Sequence, residues 1–319
     1  MARVEVVPSS STRISRSAIS FPSQPRHMQP MAMPPQPWPT GEVEELEPLV
    51  RRVLAPNGSP FTYTGTQTYL VGNSQGLAVI DPGPADPAHI DALVRAIGAA
   101  PVLAIACTHT HRDHSPAAAP LARRTRAPIV GCAPLVLETG EPRADAPFDR
   151  DYAPDRVLAD GGQLHGPSWT LTAVATPGHT SNHVCFALDQ AGALFTGDHV
   201  MGWSTTVVAP PDGDMADYMA SLDKLHSRQD RVYYPAHGPA VHNPHQLVRG
   251  MIGHRRQRER QILRLLGQRP QAVHELVPQM YKGVDERLWP AAGQSVKAHL
   301  LDLERRGVAT RSGDLWRMS

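Results

Sequence analysis

Stretches with strand-like and helix-like hydrophobic spacing alternate along the chain from residue 61 to about residue 236. Two apolar, β-prone runs at Thr66–Val71 and Leu77–Ile80 are separated by glycine and asparagine, a pattern that predicts a hairpin. Residues 90–98 carry apolar side chains at helical spacing, and Val102–Cys107 is a short apolar run typical of a buried strand. This alternation of strands and helices predicts an α/β domain.

The same alternation continues towards the middle of the chain. Further strands are predicted at 171–175, 183–188, 194–196 and 232–234, with a helix at 217–226. We therefore place the boundaries of this α/β domain at residues 42 and 248.

The C-terminal residues 249–319 show a different pattern, with helix-like segments followed by a hairpin. Helices are predicted over residues 254–267, 271–281 and 294–306, and short strands over 308–311 and 315–318. Three helices followed by a hairpin are typical of a winged-helix-like domain, which we predict for this segment.

Residues 1–41 lack such periodicity. They are rich in Pro, Ser, Met and Gln, and such a segment cannot bury enough apolar surface to offset its chain entropy. We expect a disordered tail; a mis-assigned start codon and, from its Arg and Ser content, an organellar transit peptide are alternatives.

Composition and charge restrict the class of protein. The chain has 319 residues, of which 41% are hydrophobic, and no apolar run approaches the roughly 20 residues that a membrane span needs. Three cysteines do not form a disulfide framework in a chain of this length, so we expect buried thiols and a cytoplasmic location. Residues 42–244 carry 13 basic and 22 acidic side chains, a net charge of −9, whereas residues 245–319 carry 14 and 7, a net charge of +7.

The basic C-terminal part has two interpretations. It could contact a polyanion, or its arginines could lie on a solvated helix face, which is the default for Arg255, Arg256, Arg258, Arg260 and Arg264. The sequence is compatible with both interpretations.

The strongest chemical feature is the run THTHRDH at residues 108–114, directly after the predicted strand 102–107. It contains three imidazoles, His109, His111 and His114, and the carboxylate of Asp113. Neutral imidazole and carboxylate oxygens are the ligands that zinc and similar ions take. Three further residues of these types, His179, Asp198 and His237, each follow a predicted strand and adjoin a glycine. Together they predict a metal site.

These residues make the sequence similar to the metallo-β-lactamase fold superfamily over about residues 60–240. The resemblance implies a four-layer αββα sandwich with two divalent metal ions at one edge of the sheets. It assigns three histidines to the first metal, one aspartate and two histidines to the second, and one aspartate as a bridge between them. These are, in that order, His109, His111 and His179; Asp113, His114 and His237; and Asp198.

A closer resemblance, to the β-lactamase-like protein 2 family, rests on residues 57–72, 201–207 and 234–243 and on the appended winged-helix-like domain. Animal members of that family are described as single-strand endoribonucleases, and fungal relatives as thioesterases on carrier-protein-bound polyketides. Gln67 departs from the family pattern, which usually has Asn there, and this departure concerns the substrate pocket.

The resemblance predicts hydrolysis by a metal-bridging hydroxide, with Asp113 and Asp198 as catalytic carboxylates and Asp113 passing a proton to the leaving group. Zn²⁺ is the expected ion, with Mn²⁺ or Fe²⁺ as alternatives. The substrate is either a small-molecule acyl thioester or single-stranded RNA. The basic C-terminal part favours RNA, whereas the acidic catalytic domain disfavours it.

Other functions remain open at this point. The chain could be a β-lactam or lactone hydrolase, or a DNA-binding regulator with a metal-bearing sensory domain. The winged-helix-like domain could also serve substrate gating or formation of a homodimer. Near the ligands, His183 could orient one of them or be structural, and Gln67, Thr205 and Thr206 could line the pocket. His199 is expected to point away from the site.

Overall fold

Two β-sheets lie face to face in the computed structural model, which describes residues 39–136 and 148–319. The predicted tail over residues 1–41 therefore lies outside the described residues, apart from its last three. The first sheet has seven strands in the order β1 to β7, antiparallel from β1 to β4 and parallel from β4 to β7. Its strands are β1 Val43–Glu47, β2 Val50–Leu54, β3 Gln67–Asn73, β4 Gly76–Ile80, β5 Val102–Cys107, β6 Ile129–Gly131 and β7 Arg156–Val157.

The second sheet has five strands in the order β12-β11-β10-β9-β8, antiparallel except for the parallel pair β11 and β12. Its strands are β8 Gln163–His165, β9 Thr170–Ala175, β10 Val184–Leu188, β11 Ala193–Gly197 and β12 Val232–Pro235. The inner faces of both sheets form one apolar core, in which Tyr69 of β3 packs on Phe195 of β11 at 5.0 Å between ring centroids.

Helices cover the two outer faces. The first sheet packs against α1 (Pro87–Ile97) and α2 (Ala118–Thr125). The second sheet packs against α3 (Met215–His226) and the first half of α4 (Pro244–Leu266). Helix, sheet, sheet and helix form four layers, which confirms the predicted αββα sandwich.

The C-terminal unit has its own core between the second half of α4, α5 (Val273–Met280), α6 (Trp289–Arg305) and the hairpin of β13 (Ala309–Ser312) and β14 (Leu315–Met318). This arrangement confirms the predicted winged-helix-like fold. Helix α4 begins ten residues before the predicted start at residue 254, and the predicted domain boundary at 248/249 falls inside it.

Helix α4 is shared by both units. Its first half buries Val248 and Met251 in the core with α3, and its second half buries Ile262 and Leu266 in the winged-helix core. Helix α6 also contacts the α/β domain: Arg305 forms an ion pair of 2.7 Å with Asp214, which caps α3. The two units are therefore joined by a continuous helix and by side-chain contacts.

Several surface and burial predictions can be compared with the structure. The three cysteines are free and buried, as predicted. His242 and His245 are exposed, and among the described residues no helix has the length and apolar character required to cross a bilayer. The sequence did not predict the hairpin of β1 and β2 or the short helix α2.

Two histidines next to Arg255, the buried His299 and the half-buried His254, make the stability of the protein depend on pH. Burial, together with Arg255, lowers the pKa of His299 to about 3 and that of His254 to about 4. Both rings are neutral in the folded protein, whereas the unfolded chain takes up protons below a pKa of about 6.5. The stabilisation is complete above that pH and is lost as the pH falls towards the folded-state pKa values.

We expect the His299→Leu substitution to reduce the loss of unfolding free energy between pH 7.5 and pH 5 by about 1–2 kcal/mol. The reason is that one group that titrates only on unfolding has been removed. Chemical denaturation at the two pH values measures this difference, with the exposed His242→Leu as the matched control. An equal loss in the parent and in His299→Leu would contradict the assignment of a neutral, buried His299.

Candidate metal centre

The predicted metal ligands follow the carboxyl ends of strands from both sheets. The histidine-rich run 108–114 follows β5, His179 follows β9, Asp198 follows β11 and His237 follows β12. Close backbone approach at this edge requires glycine in two places. A Cβ at Gly197 would lie 2.6 Å from Thr108 Oγ1 and from His183 Nε2, and a Cβ at Gly178 would lie 2.3 Å from Tyr218 Cα.

All seven predicted site residues come together in two adjacent groups. Within each group, the candidate ligand atoms lie within 4.8 Å of one another. The first group is His109, His111, His179 and Asp198, and the second is Asp113, His114 and His237.

Three imidazole nitrogens of the first group converge on one point. His109 Nε2 and His179 Nε2 lie 3.0 and 3.2 Å from His111 Nδ1. His179 Nδ1 donates to the carbonyl of Val207 at 2.7 Å, and because a carbonyl only accepts, the neutral ring presents a lone pair at Nε2. Lone pairs converging at this distance repel unless a cation lies among them.

Asp198 lies between the two groups. Its Oδ2 is 3.6 Å from His179 Nε2 in the first group, and its Oδ1 is 3.2 Å from His237 Nε2 in the second. Asp113 Oδ2 completes the second group, 3.3 Å from His114 Nε2 and 3.2 Å from His237 Nε2. One carboxylate therefore faces both groups with different oxygens.

Burial and charge set the protonation states of the site. Burial, reinforced by neighbouring imidazoles, lowers the pKa of His109 well below its ordinary value and that of His179 to about 4. Burial opposes ionisation of Asp113 and Asp198, but the adjacent histidines outweigh it and hold the pKa of both carboxyls below the ordinary value. For His114 the balance is reversed, since Asp113 and Asp198 outweigh burial and raise its pKa.

The donor set fits divalent metal ions. His114 Nε2 and Asp198 Oδ1 are buried, and within the part of the chain that the structure describes neither atom has a hydrogen-bond partner. Buried polar atoms usually have a partner, and the combination of five imidazoles and two carboxylates is typical of sites for zinc and related ions. A cation in each group would satisfy these atoms.

Asp81 is a supporting residue that the sequence patterns did not predict, because it directly follows the predicted strand Leu77–Ile80 and lies outside the histidine-rich run. Its carboxylate is buried and accepts hydrogen bonds from Thr108 N at 2.7 Å, Thr108 Oγ1 at 2.8 Å and His114 Nδ1 at 3.0 Å. It therefore orients His114 and the start of the histidine-rich run. An acidic residue at the end of β4, next to β5 in the sheet, was the available signal.

His183 contacts the backbone of the candidate ligand Asp198. Its Nε2 accepts a hydrogen bond from the backbone N–H of Asp198 at 3.3 Å, and its Nδ1 lies 2.9 Å from Thr176 Oγ1. The orienting interpretation of His183 is therefore the one that the contacts favour. His199 is buried, with its ring 4.7 Å from that of Tyr218 in α3, and so points away from the site as expected.

Gln67 is fully buried, so the interpretation of this residue as pocket-lining is wrong. Its Nε2 donates to the carbonyls of Pro235 and Gly238, on either side of His237, and its Oε1 accepts from Arg52. Gln67 therefore holds the loop that carries His237. Thr206 is also buried, with Oγ1 donating to the Asp198 carbonyl at 2.6 Å, and Thr205 is half-buried.

Arg256, Arg260 and Arg264 are exposed, as the prediction of a solvated arginine face requires, whereas Arg255 is buried and corrects it. The side chain is only 3% exposed, donates to the carbonyl of Thr206 and lies over the Tyr218 ring at 5.1 Å. Sequence periodicity could not reveal this, because the helix face that carries Arg255 is covered by the catalytic domain.

Comparison with known families gives two matches. Residues 62–237 match the family model "Metallo-beta-lactamase superfamily", and residues 272–316 match "Beta-lactamase associated winged helix domain". A Beta-lactamase-like protein 2 homolog of Drosophila melanogaster is 35% identical over 277 residues, which cover 83% of this chain and 91% of the relative. An atrochrysone carboxyl ACP thioesterase of Cryptosporiopsis sp. is 32% identical over 235 residues, which cover 72% of this chain and 66% of the relative.

Two solved structures share the fold. A Beta-lactamase domain protein from Burkholderia ambifaria has a TM-score of 0.72 and 20% identity, with 88% of this chain and 94% of that chain covered. A metallo-beta-lactamase family protein from Thermus thermophilus has a TM-score of 0.70 and 22% identity, with 86% of this chain and 100% of that chain covered. The similarity extends over both units of the chain.

The contacts of Asp81 lead to a test. We expect Asp81→Asn to weaken Zn²⁺ binding by about 10–100-fold, because an amide cannot accept from both Thr108 and His114 as the carboxylate does. Competition with a chromophoric chelator measures the affinity. Asp91→Asn, at an exposed position in α1, is the matched control. Equal affinities of Asp81→Asn and the parent would contradict the orienting role.

Proposed function

This chain belongs to the metallo-beta-lactamase superfamily and is a hydrolase, and we propose that it hydrolyses acyl thioesters at a site that holds two divalent metal ions. The observation that carries the proposal is the position of Asp198, with one oxygen 3.6 Å from His179 and the other 3.2 Å from His237. A single metal would need only one of the two groups. Two groups that share a carboxylate favour a pair of ions.

The proposed ligand sets follow the two groups. The first ion would be held by His109, His111 and His179, the second by Asp113, His114 and His237, and Asp198 would contact both. Five imidazoles favour zinc, while the carboxylates also suit iron or manganese. When bound, such ions polarise a carbonyl oxygen and lower the pKa of water to about 7.

The chain's own carboxylates handle the proton. In thioester hydrolysis, the water oxygen bonds to the acyl carbon, the carbon–sulfur bond breaks, and a proton moves to the departing thiolate. Asp113 is the more accessible of the two carboxylates, with 21% of its side chain exposed against 12% for Asp198. Asp113 Oδ2 lies among the ligand nitrogens of the second group, so the other oxygen of Asp113, Oδ1, is the proposed proton carrier. Asp198 keeps the two groups together.

Three observations support a thioester over single-stranded RNA. The relatives named atrochrysone carboxyl ACP thioesterase act on a thioester by name, and one of them is 32% identical to this chain. The catalytic region 42–244 has a net charge of −9, which repels a long polyanion. In addition, Arg255, one of the candidate phosphate contacts, is buried and bonded to the protein backbone.

The packing of α6 supports an enzyme over a DNA-binding regulator. In winged-helix proteins that bind DNA, the helix before the hairpin enters the major groove. Here Ser295 and Arg305 of that helix contact Val208 and Asp214 of the catalytic domain. This side of α6 is therefore occupied by contacts with the catalytic domain and is not free to bind DNA.

The test is hydrolysis of an acyl-N-acetylcysteamine thioester by the zinc-loaded protein. The release of free thiol measures the rate. We expect His109→Ala to lower the rate to that of the metal-free protein, because one ligand of the first group is lost. We expect Asp113→Asn to lower the rate by roughly 10²–10⁴-fold. The exposed His242→Ala serves as the control and should match the parent.

The same preparations are incubated with labelled single-stranded RNA. Metal-dependent cleavage of RNA that His109→Ala abolishes, without thioester hydrolysis, would overturn the proposed substrate class. Metal analysis of the parent separately tests the two-metal proposal, for which the expected content is two ions per chain.

A further inference from the structure

A short segment, Thr206–Val208, connects the metal ligands to the C-terminal unit. On one side it contacts two of the candidate ligands. Thr206 Oγ1 donates to the main-chain carbonyl of Asp198 at 2.6 Å, and the carbonyl of Val207 accepts from His179 Nδ1 at 2.7 Å. The segment therefore holds the backbone of Asp198 and the ring of His179.

On the other side, the segment contacts the helices of the C-terminal unit. Arg255 Nη2, on α4, donates to the carbonyl of Thr206, and the N–H of Val208 lies 3.4 Å from Ser295 Oγ on α6. The Arg255 guanidinium also lies over the ring of Tyr218, whose hydroxyl donates to the carbonyl of His199, the residue after Asp198. Arg255 thus supports both ends of the loop 198–206.

Arg255 occupies a position that is costly for a cation. It is 3% exposed, forms no ion pair within the described residues, and its Nε has no hydrogen-bond partner there. A buried guanidinium without a carboxylate is destabilising unless its other contacts compensate. The neighbouring His254 and His299 are neutral, so they add no second positive charge beside the guanidinium, but they supply no negative charge to it. The burial of Arg255 is therefore not accounted for by a stabilising ion pair within the described residues.

Arginine fits the geometry because its planar group makes two different contacts at once. Its guanidinium carbon lies 5.1 Å from the centre of the Tyr218 ring while one of its N–H groups reaches the Thr206 carbonyl. Lysine, with a single ammonium group, has no such plane. The requirement is therefore for orientation and not for charge alone.

We propose that Arg255 is a positioning residue that acts through Thr206–Val208 to hold Asp198 and His179 for metal binding. The C-terminal unit thereby completes the support of the metal centre, as outer hydrogen bonds do for metal ligands in general. This inference rests on the metal site proposed above. It assigns to the winged-helix unit a task in the hydrolase itself.

The experiment uses the full-length protein in parent and variant forms. Arg255→Met removes the hydrogen bond and keeps an apolar stem, and Arg255→Lys keeps the charge without the planar group. Thr206→Val removes the hydroxyl that holds Asp198, while Thr206→Ser keeps it. Arg256→Met, at the exposed neighbouring position, is the matched control.

Three quantities are measured for each protein. They are the Zn²⁺ affinity by competition with a chromophoric chelator, the visible absorption spectrum of the Co²⁺-loaded protein, and the free energy of unfolding without metal. The Co²⁺ spectrum reports the coordination geometry, which a merely structural role of Arg255 would not change.

We expect Arg255→Met, Arg255→Lys and Thr206→Val to bind Zn²⁺ about 10–100-fold more weakly and to show an altered Co²⁺ spectrum. Thr206→Ser and Arg256→Met should match the parent in both. If Arg255→Met does not fold, Thr206→Val decides, because it leaves the bond from Arg255 to the Thr206 carbonyl in place.

Unchanged Zn²⁺ affinity and Co²⁺ spectrum in Arg255→Lys and Thr206→Val would overturn the inference, whatever their unfolding free energies. A parent protein that binds no metal would instead overturn the proposed metal site. The two failures are thus distinguishable.

Discussion

The convergence of ring nitrogens at the edge of the sheets is the constraint on which the rest of the structure depends. Nitrogens of His109 and His179 approach His111 Nδ1 to within 3.0 and 3.2 Å, and two carboxylates lie beside them. Donors of this kind assemble only where the surrounding backbone holds them against their mutual repulsion. The glycines, the buried Asp81 and the carbonyls that fix the rings all serve that requirement.

The architecture explains how a single chain meets this constraint. Each ligand follows a strand whose carboxyl end reaches the same edge, so two packed sheets bring residues from positions 109 to 237 together. Because β4 pairs with β5 and β11 pairs with β12 in parallel, the carboxyl ends of each pair of strands lie at the same edge. The candidate ligands are therefore distant along the chain but are brought together by the two packed sheets.

Strand ends, glycines and metal-binding side chains are local patterns, and they predicted the seven clustered residues. Periodicity predicted only an α/β domain, and the four layers were implied by the resemblance to the metallo-β-lactamase superfamily. The sequence could not predict which helix faces are covered. The sequence pattern makes a solvated face the default for Arg255 and Gln67 a candidate for the pocket, yet both are buried and donate to backbone carbonyls. Asp81 was also not predicted, because its hydrogen bonds join segments that are far apart along the chain. The short helix α2 lacks a long apolar period, and the hairpin of β1 and β2 is acidic and partly exposed on its first strand.

Helix α4 has a consequence for how such chains can be assembled. A fusion junction placed at residue 249, the domain boundary predicted from the sequence, would interrupt a helix of 23 residues that contributes to two cores. A chimera that exchanges the C-terminal unit for that of a relative would keep this helix intact only if the crossover lay in the loop before Pro244. The exchangeable module is therefore larger than the winged helix, since it includes the whole helix that covers the second sheet.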